Sequence, residues 1–146
     1  MTEQQPQFEL KHRYVKDISF ESPHAPEIFQ QEWEPKISVD LSTEARDLSE
    51  QAYEVTLMVT VTAHSGDDKA SKEAYIAEAK QSGIFMVRNF SKDQLEHFLN
   101  VYCPNILYPY IRETISGLIT KGGFAPLYLA PVNFEALYSQ QKAEKK

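Results

Sequence analysis

The sequence has little cysteine and little glycine, and each shortage excludes classes of function. A single cysteine among 146 residues, Cys103, cannot form a disulfide within the chain, and it predicts a reducing compartment such as the cytoplasm. The five glycines never approach the spacing of a phosphate-binding loop, so ATP and dinucleotides are not expected ligands. Four scattered histidines provide no metal-ligand spacing, so neither a metal nor a cofactor is predicted.

Long apolar runs and an excess of positive charge are missing too. No stretch approaches the roughly 20 apolar residues of a membrane-spanning helix, and the polar start of the chain lacks a signal-peptide pattern. The formal net charge is −6 and the isoelectric point is near 5.2. Because nucleic-acid binding needs a cationic surface that displaces phosphate counterions, a nucleic acid is not an expected partner. Without a long apolar run, direct membrane insertion is not expected either. A negatively charged surface favours basic protein segments, or only keeps the protein in solution.

The length and composition predict one globular domain. At 146 residues, with 42% hydrophobic and 25% charged residues, the chain has the size and balance of a single core. We expect residues 1–146 to form this domain, with residues 1–7 and 139–146 as flexible tails.

The segment 16–26 predicts a strand that ends at two prolines. Apolar and polar side chains alternate along it, so one face can be buried while the other presents carboxylates to solvent. The outward positions are Asp17, Ser19 and Glu21, and the inward positions are Ile18 and Phe20.

Three later segments, 37–41, 53–63 and 72–80, alternate in the same way. The segment 53–63 is the clearest, because Met58 is the one apolar residue on its polar face. Short connections between the four strands predict an antiparallel meander with one covered face.

The second half of the chain predicts helices. Ser91 and Gln94 have the spacing of a capping box, which begins a helix. Pro104 lacks an amide donor and disfavours helical angles at Cys103, so we expect an interruption there. Asn105 is then a candidate cap for a fresh, longer helix.

This longer helix carries apolar residues on more than one side, which favours packing against both its own sheet and a second subunit. Pro109 is a potential kink, and Gly122-Gly123 is a stop signal. A short last helix is predicted to begin at Asn133. Strands followed by helices indicate the α+β class.

Two residues have more than one interpretation. Cys103 with His97 is the one conceivable nucleophile pair, although a lone cysteine before a proline more often packs as a small apolar residue. Trp33, on a proline-bounded loop, either lines an apolar binding site or anchors the loop to the core.

Several segments resemble the SecB family of bacterial protein-export chaperones. They are 16–26, 25–33, 81–85, 102–110 and 129–137, in the family's order along most of the chain. The resemblance implies a four-stranded antiparallel sheet with a long helix, assembled as a homotetramer that is a dimer of dimers. It also implies a non-enzymatic cytoplasmic holdase that binds unfolded preproteins without ATP and delivers them to the SecA motor.

The resemblance also assigns site residues. The family's SecA-contacting positions, which meet the zinc-containing tail of SecA, fall on Asp17, Glu21, Ile76 and Glu78. Its client-binding groove falls on Trp33, Ile37, Val39, Leu41, Tyr75 and Phe98. Two alternatives stay open: a solitary SecB-like chaperone of a toxin–antitoxin system, and an enzyme or small-ligand protein built around Cys103 and His97.

Overall fold

The computed structural model describes residues 5–67 and 71–144, which form a four-stranded antiparallel sheet with helices on one face. The strands are β1 (Gln7–Glu21), β2 (Pro35–Ser49), β3 (Ala52–Ser65) and β4 (Lys72–Arg88). A 3₁₀ turn, Glu27–Gln30, lies between β1 and β2. The α+β class and the antiparallel sheet are confirmed.

The spatial order of the strands is β1-β4-β3-β2, so the predicted four-strand meander is wrong. Only β2, β3 and β4 follow one another as hairpins, whereas β1 pairs with β4. The connection 22–34 therefore carries the chain from one edge of the sheet to the other, about 14 Å at the usual strand spacing. Ser22 Oγ donates to the carbonyl oxygen of Ala74 at 2.9 Å, which fastens the start of this connection to β4.

The inner face of the sheet is the face that the long helix covers. Of the predicted inward positions of β3, Tyr53 is half-buried, and the other five are fully buried: Val55, Leu57, Val59, Val61 and Ala63. On β4 the strand continues to Arg88, beyond the predicted end at 80, and the helix passes closely over Gly83. A Cβ there would lie 3.2 Å from a methyl group of Leu107, so the glycine allows this close approach.

The helical region consists of α1 (Lys92–His97), a π turn (Phe98–Tyr102) and α2 (Cys103–Lys121), and it has no break at Pro104. The predicted interruption is wrong, since Cys103 has φ −63 and ψ −48. The Cys103 amide donates to the carbonyl of Phe98, five residues back. This wider turn accommodates a proline that has no amide to donate. Pro109 lies inside α2 without ending it.

The predicted start of the first helix and the predicted end of the long helix are both confirmed. Ser91 and Gln94 form both bonds of the capping box, at 2.9 and 3.1 Å. At the end of α2, Gly123 has φ +90, and the amides of Gly123 and Phe124 bond back to Thr120 and Ile119 in a Schellman motif.

The last helix, α3 (Phe134–Glu144), begins after Asn133 as predicted. The Asn133 side chain accepts from the amide of Ala136 at 3.0 Å. Of the predicted tails, 139–144 are helical and Gln7 begins β1, while residues 1–4, 145 and 146 lie outside the described residues. Within the described part of the chain, none of the helices has the length and apolar character needed to cross a membrane.

Candidate binding surfaces

An apolar shelf lies open at the β2 edge of the inner face. It consists of Phe29, Trp33, Ile37 and Val39, which are between 39% and 50% exposed. The register explains its place, because Ile37 lies opposite Ala63 and Val39 opposite Val61, both fully buried positions of the inner face. The shelf therefore continues the core outward, with apolar side chains that this chain itself leaves partly uncovered.

Aromatic rings form the floor at the Trp33 end of the shelf. Phe124, which follows the Schellman motif, is buried and contacts four other rings at centroid distances of 4.9 to 6.4 Å. These rings belong to Phe20, Phe29, Trp33 and Tyr75. A cavity of about 180 Å³ opens between the 3₁₀ turn and Phe124, with Trp33 on its wall. Trp33 thus both packs on the core and lines an apolar opening, so its two interpretations are not exclusive.

The structure does not bring all six predicted groove residues onto this shelf. Trp33, Ile37 and Val39 are there, and Leu41 is half-buried beside them. Tyr75 is 1% exposed and Phe98 is 5% exposed, so both belong to the core.

Phe98 also lies at the other end of the sheet from Tyr75. Its ring contacts that of Phe85 at 5.9 Å. Phe85 is ten positions along β4 from Tyr75, about 33 Å of extended chain. Spacing along a helix indicates that Phe98 faces the sheet, but only the direction of α2 across the sheet decides which end it reaches.

The predicted SecA-contacting residues share the outer face of the sheet. Glu21 lies opposite Ile76, and Ser19 lies opposite Glu78, on adjacent strands β1 and β4. Asp17 is two positions along β1 from Ser19 and points the same way. Asp17, Glu21 and Glu78 therefore form one acid stripe, exposed or half-exposed, on the face that the helices do not cover.

A second charged group on the outer face was not predicted. Glu54, on β3, is only 6% exposed and accepts a hydrogen bond from the Tyr14 hydroxyl. Lys16 Nζ lies 3.0 Å from Glu54 Oε1, and Arg46 Nη2 lies 3.4 Å from the same oxygen. These four residues, the Glu54 cluster, join β1, β2 and β3. A strand pattern that places Glu54 on the polar face gives no signal that it is buried.

The cluster changes the acidity of its members. The hydrogen bond from Tyr14, then the charges of Lys16 and Arg46, lower the pKa of Glu54 and outweigh the opposite effect of burial. Burial and the hydrogen bond to Glu54 raise the pKa of Tyr14 to about 12. Glu54 is therefore a carboxylate at neutral pH, and Tyr14 is its donor.

Cys103 and His97 do not have the properties of a nucleophile pair. Cys103 is fully buried, and burial raises the pKa of its thiol, which favours the unreactive protonated form. His97 Nε2 lies 2.6 Å from Glu135 Oε2, an exposed contact between α1 and α3. The interpretation of Cys103 as a packed small apolar residue is the one that fits.

The exposed side of α2 is flanked by two open depressions near Gly117. One, of about 600 Å³, lies between β1 and α2 and includes Ile18 and Tyr110. The other, of about 630 Å³, lies toward Tyr128, which is 77% exposed. A Cβ at Gly117 would meet no described atom within 4 Å, so packing within the described chain does not require a glycine there.

Comparison with known proteins identifies one family. The family model described as preprotein translocase subunit SecB matches residues 1–145. Proteins named protein-export protein SecB are similar over 141 residues. The one from Pseudomonas aeruginosa strain PAO1 is 50% identical, over 97% of this chain and 85% of its own. The one from Marinobacter nauticus is 49% identical, over 97% and 83%.

A solved structure shares the fold. The SecB-like chaperone Rv1957 of Mycobacterium tuberculosis, in complex with a peptide from the HigA1 antitoxin, superposes with a TM-score of 0.68. It is 15% identical and covers 86% of this chain and 90% of its own. At that identity the likeness shows the fold alone.

The four-stranded antiparallel sheet with its long helix shares the fold of a SecB-like chaperone. The match over nearly the whole chain is more specific: this chain belongs to the SecB family of protein-export chaperones. The toxin–antitoxin alternative is not favoured, because the relatives that are half identical carry the protein-export name.

Proposed function

We propose that this protein is an ATP-independent holdase that binds unfolded preproteins in the bacterial cytoplasm and delivers them to the SecA motor. Membership of the SecB family supports the export role. The observation that carries the holding activity is the apolar shelf, whose four side chains are open although they continue the core face.

Unfolded segments would bind along the shelf through apolar side chains. Burial of apolar area contributes roughly 25 cal/mol per Å² and is non-directional, so many client sequences fit one surface. β2 is also an edge strand, whose free backbone groups can pair with an extended client. Glu32 and Glu34 flank Trp33 in the sequence and are exposed, and these charges favour clients with basic residues beside their apolar ones.

SecA would dock on the acid stripe. Carboxylates at Asp17, Glu21 and Glu78 suit a basic segment through charge-assisted hydrogen bonds, with Ile76 as an apolar contact among them. The zinc implied by the family resemblance would belong to the tail of SecA. Because the stripe and the shelf lie on opposite faces of the sheet, client and motor can be bound together.

A second copy of the chain would cover the exposed side of α2. The two depressions beside Gly117 expose Ile18 and Tyr128. A glycine inside a helix lowers stability by up to about 1 kcal/mol relative to alanine, so it is expected where another backbone packs closely. Packing of α2 against another copy would use that glycine and cover both depressions. This supports the homotetramer that the family resemblance implies.

One experiment tests the two surfaces against each other. Trp33→Ala should weaken capture of a denatured preprotein, measured as suppression of aggregation without nucleotide, and leave SecA affinity unchanged. Asp17→Ala with Glu21→Ala should weaken SecA binding, measured by titration calorimetry, and leave capture intact. If the two variants exchanged these effects, the assignment of the surfaces would be reversed.

A further inference from the structure

The first strand contains an irregularity beside the acid stripe. In the described pairing of β1 with β4, Tyr14 lies opposite Ser82, Val15 opposite Gln81, and Asp17 opposite Lys80. The register shifts between Val15 and Asp17, so Lys16 is an extra residue on β1. This is a β-bulge, which inserts one residue and reverses the alternation of faces beyond it.

The bulge decides which way the acids point. A strand that paired without it would set Asp17 opposite Ala79, a buried position of the inner face, and Glu21 would follow it inward. Ile18 and Phe20 would then face outward, because a slip of one residue exchanges the two faces of a strand. The acid stripe therefore exists only while the Lys16 bulge is maintained.

Side chains hold the bulge from both faces of the sheet. On the outer face, Glu54 contacts the Tyr14 hydroxyl, just before the slip, and Nζ of Lys16, the extra residue itself, at 3.0 and 3.1 Å. On the inner face, Gln81 is 2% exposed, and its Nε2 donates to the backbone carbonyl of Tyr14 at 3.1 Å.

These contacts reach beyond the neighbouring strand. Glu54 belongs to β3, which β4 separates from β1, so the bulge is tied to the middle of the sheet. Leaving a buried carboxylate without its charge-assisted hydrogen bonds costs free energy. The bonds to Glu54 therefore favour the one register of β1 that keeps Tyr14 and Lys16 within reach of it.

We propose that Glu54 and Gln81 are positioning residues for motor docking, which hold the Lys16 bulge and thereby turn Asp17 and Glu21 outward. The proposal rests on the proposed function of the acid stripe as the SecA surface. Neither residue needs to touch SecA.

The register can be tested without SecA. Ile18 lies directly opposite Ala79, and opposed residues of antiparallel strands have Cα atoms about 4.5–5.5 Å apart, within reach of a disulfide. Ile18→Cys with Ala79→Cys should therefore cross-link readily on mild oxidation, since buried Cys103 does not compete. Adding Glu54→Gln should slow the cross-link several-fold. Glu44→Gln is the matched control, because Glu44 is exposed on the outer face opposite Thr56, and it should have no effect.

SecA affinity supplies the second measurement, on the full assembled protein. Glu54→Gln should weaken binding about 5-fold or more while preprotein capture is unchanged, and Gln81→Met should act in the same direction. In the Glu54→Gln background, oxidation to form the cross-link between positions 18 and 79 should restore SecA affinity. Reduction of the disulfide should lower the affinity again. A purely structural role would not respond to the cross-link in this way.

The outcomes separate the two proposals. An unchanged rate of cross-linking in Glu54→Gln, or a loss of affinity that oxidation does not restore, overturns the positioning role. Suppose instead that cross-linking slows in Glu54→Gln but Asp17→Ala with Glu21→Ala leaves SecA binding intact. Then SecA does not dock on the acid stripe, although Glu54 still maintains the register of β1.

Discussion

The two edge strands, β1 and β2, have the same length of 15 residues but very different construction. The pairing of β1 shifts at two places, and the extra residue at each is a lysine, Lys11 and Lys16. The pairing of β2 is regular from Pro35 to Asp47. Bulges and lysines are common ways to keep an edge strand from pairing with other chains, and β1 has both.

Under the proposed function, the two edges have different tasks. The regular edge of β2 keeps an apolar inner side, with Ile37 41% and Val39 47% exposed, which suits transient contact with unfolded chains. The bulged edge of β1 turns its acids outward and suits one defined charged partner. In this proposal, the regular register leaves one edge open to many sequences, and the interrupted register makes the other specific for one partner.

The largest expected effect is a loss of folding stability where Phe20 of β1 packs against Gly122 at the end of α2. A Cβ at Gly122 would lie 2.1 Å from the Phe20 ring, which is stacked on Tyr75 in the aromatic floor. Gly122→Ala should therefore destabilise the fold by about 1–3 kcal/mol, measured by urea unfolding. In a Phe20→Leu background the added methyl group has more room, so Gly122→Ala should cost less there, and equal losses in both backgrounds would contradict the steric cause.

The next prediction compares the inner faces of the two edges directly. Ile18 on β1 and Val39 on β2 are 48% and 47% exposed, so they form a matched pair. Val39→Lys should reduce preprotein capture about 10-fold, the loss expected for a partly buried aliphatic contact, with no change in native mass. Ile18→Lys should instead weaken assembly, measured by native mass spectrometry, and spare capture per subunit. Equal effects of both variants on capture would remove the distinction between the edges.

A smaller effect concerns pH. Because the folded-state pKa of Glu54 lies below its ordinary value of 4.5, its ionised form stabilises the fold at neutral pH. That contribution is present above the ordinary value and is lost as the pH falls through the lowered pKa. Glu54→Gln should be less stable than the parent at neutral pH, and the difference should shrink on acidification, measured by thermal unfolding from about pH 7 to about pH 3. A constant difference over this range would show that the charge is not responsible.

The smallest effect is expected at the hairpin that ends β2. Ser49, Glu50 and Gln51 all have positive φ, from 56 to 76, without a glycine among them. Glu50→Gly should relieve part of this strain and stabilise the fold by less than about 1 kcal/mol, measured by urea unfolding. Glu44→Gly, in the regular part of the same strand, should have the opposite sign. A loss of stability in both variants would argue against strain at the hairpin.

Much of the fold could be predicted because its signals are local. The alternation along 53–63, the capping box at Ser91 and the stop at Gly122-Gly123 each depend on residues within one turn or one strand. The common outward face of Asp17 and Glu21 was predicted correctly for the same reason, since both lie beyond the bulge.

The errors concern relations between distant segments. The position of β1 beside β4 depends on where the connection 22–34 crosses the sheet, and connection length alone does not determine this. The π turn before Pro104 keeps the helix continuous, and no local pattern in the sequence signals it. Of the predicted groove, Tyr75 and Phe98 are core residues, because an aromatic on an inward face looks the same in sequence whether the helix covers it or not.

Alone, the amino-acid sequence determined the faces of the strands, the ends of the helices and the resemblance to one family, because periodicity, capping and motifs act over a few neighbouring residues. Only the tertiary structure decided the strand order, the burial of Glu54 and the separation of the apolar shelf from the acid stripe. These depend on register and on the path of α2 across the sheet, and both arise from contacts between residues far apart in the chain.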